Sequence, residues 1–149
     1  MTKFVLPLAL MLAGSVSAFA TPLTSENIIG RYKVDAHYGP KHAYLKFNVV
    51  NSNEFEVTRY NPDTGERDAT CQGTFKMTNS SYYNDLGILT DGGRYFKGVF
   101  TCPNDRSKKI DFNIDYKGTQ LEDLDKGANV TVTTSLAPVR LKAFVIRDR

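Results

Sequence analysis

The chain has 149 residues, with 19 lysines and arginines against 16 aspartates and glutamates and a formal charge of +3 at neutral pH. The length suits one domain with one core. The near-balance of interspersed charges argues against nucleic acid or a membrane surface as partner.

Residues 1–20 read as a leader. Lys3 gives a short positive start, Phe4 to Ala13 an apolar run, and Ala18-Phe19-Ala20 a small-x-small site before Thr21. That is the layout of a cleavable secretory signal. The run is too short to span a bilayer, which takes about twenty apolar residues. Residues 21–149 are then one exported domain, periplasmic or extracellular, and no other stretch in them approaches membrane length.

From Gly30 onward the dominant signal is alternation of period two, broken by turn residues, as in an antiparallel meander. Over 30–37, Tyr32, Val34 and Ala36 share one side. Tyr38-Gly39-Pro40-Lys41 turns the chain, and Ala43, Leu45, Phe47 and Val49 alternate in the next strand. Pairing Tyr32 with Phe47, Val34 with Leu45 and Ala36 with Ala43 makes the two apolar faces coincide. This register also sets Lys33 against Lys46, a mildly unfavourable pair unless both tips reach water. Asn51-Ser52-Asn53 turns into a strand holding Phe55 and Val57. Asn61-Pro62-Asp63-Thr64-Gly65 is a strong reversal, with proline and glycine at suitable places. Further strands are expected near 67–77, 82–89, 94–102 and 108–116, with turns at Asp91-Gly92-Gly93 and Pro103-Asn104-Asp105. Two more follow, near 128–136 and 139–147. One short helix is expected near 119–126. Thr119-Gln120-Leu121-Glu122 has the form of a capping box, Leu121 and Leu124 share a face, and Gly127 suits the exit. The sum is an all-β antiparallel meander of eight to nine strands, closed or nearly closed into a barrel.

Cys71 and Cys102 are the two cysteines, and export places them where a disulfide forms. "CQGTF" at 71–75 and "FKGVFTC" at 96–102 mirror each other. Set antiparallel, they oppose Gly73 to Phe100, Phe75 to Gly98 and Met77 to Phe96, so that in the first two pairs a phenylalanine covers a cross-strand glycine. The alternative inserts a strand at 82–89 between them, and then the bridge needs a bend or a barrel end.

Sites for chemistry are sparse. His37 and His42 flank the first turn beside Asp35 and Tyr44. They read as a solvated hairpin tip, with a divalent-metal site the sharper alternative. Asp111, Asn113, Asp115 and Glu122 match four positions of a calcium loop, but Tyr116 stands where glycine is needed and the stretch alternates as a strand does. No nucleophile, zinc-protease or phosphate-loop motif is present. The expectation is a non-enzymatic protein without metal or cofactor.

Gly30-Arg31-Tyr32, opening the first strand of an exported meander, resembles the start of the lipocalin and wider calycin group. Members carry Gly-x-Trp there, with a late basic residue packed over the ring; Arg140 and Arg147 are the candidates in this chain. The resemblance implies a closed barrel holding a small apolar ligand; the alternating residues Tyr32, Val34, Leu45, Phe47, Phe55, Val57, Phe112 and Ile114 are the lining expected for it. Gly92-Gly93-Arg94-Tyr95, with Lys97, resembles the Ser-Gly-x-Arg-Tyr loop of the periplasmic inhibitors of c-type lysozymes, with Asp91 in place of the serine. That resemblance implies a protein partner met by an exposed loop of Asp91, Arg94, Tyr95 and Lys97.

Overall fold

The structure is a computed structural model that describes residues 20–83 and 85–149, with backbone alone at 80–82 and 90–93. Residues 1–19 of the expected leader lie outside the described residues. Eight strands follow in chain order: β1 (Gly30–Tyr38), β2 (Lys41–Val49), β3 (Glu54–Arg59), β4 (Cys71–Tyr83), β5 (Leu89–Cys102), β6 (Asp105–Lys117), β7 (Ala128–Thr134) and β8 (Ala137–Arg147). Each pairs antiparallel with the next, and β1 pairs with β8, so the barrel closes. Closure removes the free sheet edges that an open meander leaves. One short helix, α1 (Leu121–Lys126), lies between β6 and β7.

The first hairpin has the register that its apolar pattern dictates: Tyr32 faces Phe47, Val34 faces Leu45, and Lys33 faces Lys46. Lys33 escapes the like-charge pairing by reaching Asp148, 3.0 Å away at the C-terminus. In β4 and β5, Gly73 faces Phe100, Phe75 faces Gly98 and Met77 faces Phe96, with no strand between them. Cys71 and Cys102 form a disulfide across a Cα separation of 4.3 Å.

Three local expectations are corrected. The strand expected at 82–89 and the turn expected at Asp91-Gly92-Gly93 are replaced by one long hairpin. β4 continues to Tyr83, the reversal falls between there and Leu89 with Gly87 at φ 71°, and 91–93 belong to β5. A register shift between Ser80 and Ser81 absorbs the offset. The helix cap sits one residue later than Thr119, whose N–H is already used by the Tyr116 carbonyl. Gln120 is the N-cap; its N–H donates to the Asp123 carboxylate at 2.8 Å. Glu122 instead accepts from the Thr21 N–H at 3.2 Å and from its hydroxyl.

The third correction concerns what covers the strand glycines. Phe100 and Phe75 stand opposite them, but the rings lying on them come from the strand on the other side. A Cβ at Gly73 would stand 2.6 Å from Phe55 of β3 and 2.3 Å from the Val99 carbonyl, and one at Gly98 would stand 2.5 Å from Phe112 of β6. These glycines let large rings lie across the barrel wall, and no other residue leaves that space.

Six aromatic rings then fill the middle of the barrel. Phe75 and Phe96 stack with centroids 4.3 Å apart. Phe55 lies 4.9 Å from Phe47, 5.3 Å from Phe112 and 6.3 Å from Phe100. One end of the barrel is capped by the segment before β1 and by α1: Leu23, Ile28 and Leu124 are all but fully buried, and Pro22 bridges to Gln120. The Arg147 guanidinium lies over the Tyr32 ring at 5.6 Å. It donates to the Tyr32 oxygen at 3.2 Å, while the Tyr32 hydroxyl donates to the Ile28 carbonyl at 2.7 Å. Arg147, not Arg140, is therefore the basic residue over this ring.

Burial raises the pKa of Tyr116 well above the usual tyrosine range, and raises that of Tyr32 against the opposing pull of Arg147. A raised folded pKa means full stability below the unfolded pKa of about 10, lost as pH climbs towards the folded value. Urea midpoints should therefore fall above about pH 10. Of the eight tyrosines, these two should show tyrosinate absorbance only as the chain unfolds; their titration in the folded protein would contradict the packing.

Candidate functional site

The eight residues expected to line a ligand do share one inner wall. Tyr32, Val34, Phe47, Phe55, Val57 and Ile114 are buried, and Leu45 and Phe112 are partly buried against them. Within that wall Phe47 lies 4.9 Å from Phe55 and 6.2 Å from Phe112, and 5.3 Å from Phe96. Among the described residues, two of the grooves on the strands are open to solvent. One, of about 410 Å³, crosses β5, β6 and β7 at Lys97, Val99, Asp111, Asn113 and Thr133. The other, of about 460 Å³, lies by the disulfide at Thr70, Gln72, Thr101 and Arg106.

The four residues expected in an interaction loop are spread along β5. The side chain of Asp91 lies outside the described residues. Arg94 is part-buried, its Nη1 donating to the Leu23 carbonyl at 3.0 Å, so it fastens the capped end. Tyr95 is half-buried, and Lys97 is exposed beside Lys76 and Asn113.

The β4–β5 hairpin itself projects from the barrel. β3 pairs with β4 only at Cys71–Thr74, and β6 meets β5 no nearer the tip than Arg94. The ribbon beyond ends in Tyr83, Leu86, Ile88 and Leu89, which are 73%, 81%, 58% and 61% exposed. Single exposed apolar residues are ordinary; a group of them on one projecting tip is less so. Alternation hides this tip in the sequence, since 82–89 reads as a strand. Its one signal is Asn84-Asp85-Leu86-Gly87, turn residues around a leucine.

At the other end of the barrel, the β1–β2 hairpin brings Asp35, His37 and His42 together on its outer face. His42 Nδ1 lies 2.8 Å from Asp35 Oδ1, and the two imidazoles stack at 5.3 Å. The calcium-loop pattern does not form a loop. Asp111, Asn113 and Asp115 alternate along β6, and Glu122 holds Thr21.

The chain matches no protein-family model, no curated protein and no solved structure.

Proposed function

We propose that the protein is an exported, lipocalin-like β-barrel that acts without catalysis, by docking the tip of its β4–β5 hairpin into an apolar cleft of another protein. The observation that carries this reading is the tip itself: four large apolar side chains, each more than half exposed, on a ribbon that projects past its neighbours. Such side chains are the anchors that fill pockets at protein interfaces. The charges of the stretch 83–91 are Asp85 and Asp91, so it suits a protein cleft better than an anionic lipid surface. The interior offers less support for a ligand, because rings occupy it.

The other parts of the reading have separate supports. Export rests on the leader layout of residues 1–20, and the Cys71–Cys102 disulfide belongs to an oxidising compartment. The likeness to lipocalins rests on eight antiparallel strands in chain order and on Arg147 over the Tyr32 of Gly30-Arg31-Tyr32.

The test is a photo-crosslinking residue at position 83, in protein expressed in its own host, alone and with the pair Leu86→Asp and Leu89→Asp. The wild-type tip should crosslink to one protein, and the double substitution should abolish that adduct with little change in thermal midpoint. An adduct that survives in a folded double variant would remove the tip from the interface.

A further inference from the structure

We propose that Asp35, His37 and His42 form a binding site for a divalent transition-metal ion of the zinc or copper(II) kind, on the opposite end of the barrel from the hairpin tip. The site is independent of the docking reading. It arises from the sheet's own periodicity. Asp35 and His37 are two residues apart on β1 and so emerge on the same face, and His42 of β2 stands directly across from His37. The two-residue turn between them is pinned by Gly39 at φ 56°, which fixes the pairing and holds both imidazoles side by side.

One ligand atom from each residue lies within 4.8 Å of the other two. Metal bonds to nitrogen and oxygen of about 2.0–2.2 Å require ligand atoms a little over 3 Å apart around a tetrahedral ion. His42 Nδ1 and Asp35 Oδ1 are already 2.8 Å apart, and the His37 nitrogen has to close in from within 4.8 Å of both. A second observation points to the same place: His37 Nδ1 is shut off from water and has no hydrogen-bond partner among the described residues. A buried ring nitrogen without a partner is costly in a resting surface hairpin. Metal coordination at the pair supplies a reason for the histidine to stand there.

The donor set fixes the class of ion. Two imidazoles and one carboxylate suit zinc and copper(II), and they are a poor set for magnesium or calcium, which take oxygen ligands. The carboxylate offsets part of the incoming charge. Lys142, opposite His37 on β8, is exposed and keeps its ammonium in water. His42 also stacks on Tyr44 at 5.8 Å, which holds its ring. Three protein ligands on an outer face leave the fourth position to water or to a side chain brought by a partner.

Untagged protein should be titrated calorimetrically with zinc chloride, copper(II) chloride, magnesium chloride and calcium chloride. One zinc or copper ion per chain is expected, and no heat of binding from the other two. His37→Ala and His42→Ala should each weaken zinc binding by at least about ten-fold. In a wild-type amide spectrum, copper(II) should broaden residues around Asp35, His37, His42 and Tyr44 first, a readout that does not depend on any variant folding. Absence of stoichiometric binding, retention of it by both histidine variants, or broadening centred elsewhere would overturn the site.

Discussion

Phe55→Ala is expected to lower the stability by about 3–5 kcal/mol, the range seen when a buried phenylalanine is truncated to alanine. Phe55 is 1% exposed and sits at the centre of the ring cluster, within 6.4 Å, centroid to centroid, of Phe47, Phe75, Phe96, Phe100 and Phe112. It also covers Gly73, where even a Cβ would collide. Removal therefore leaves a cavity between rings that are anchored on four different strands, and it uncovers a stretch of backbone. Domains are stable by about 5–15 kcal/mol in all, so the loss is a large share. Phe55→Leu should cost less, since it keeps most of the volume. Tyr83→Ser at the exposed tip should stay within about 0.5 kcal/mol. Urea unfolding followed by circular dichroism reads all three; equal midpoints for Phe55→Ala and wild type would show that the ring is not in a packed core.

Loss of the disulfide comes second in size. Cys71 and Cys102 are separated by 31 residues, and closing a loop of that length removes unfolded-state entropy worth about 3.5 kcal/mol in the chain-entropy account. The bridge ties the first residue of β4 to the last of β5, at the barrel end away from the α1 cap. The neighbouring 61–70 segment there is exposed throughout and has one isolated bridge, Tyr60 to Arg67. This end therefore depends on the covalent tie more than the capped end does. The double variant Cys71→Ser with Cys102→Ser should unfold at a markedly lower urea concentration. Wild type in reductant should follow it, and an unchanged midpoint in both would contradict the assignment of stability to the bridge.

The sequence makes the wall of the barrel legible and its filling less so. In β1 and β2 an apolar residue stands at every second position, so one register alone puts Tyr32, Val34 and Ala36 against Phe47, Leu45 and Ala43. The mirrored Cys, Gly and Phe positions of β4 and β5 carry the same information. The tip of that hairpin is hidden because Leu86, Ile88 and Leu89 imitate a strand while Asp91-Gly92-Gly93 imitates a turn. Alternation assigns a face to each side chain, but it does not say which of two flanking strands supplies the ring over Gly73 or Gly98. It also does not say that the rings meet one another in the middle of the barrel. At the histidine turn the grouping was readable from spacing alone. The shielding of the His37 nitrogen comes from packing, which spacing does not specify.

On the proposed reading, aromatic side chains fill the barrel and a protein partner is met from outside. Native mass spectrometry of the protein taken gently from its own host tests it most directly. A bare chain after release from a protein partner, with no small molecule retained, is the expected result. A stoichiometric apolar molecule that stays with the isolated chain, and leaves only when the fold is lost, would contradict it.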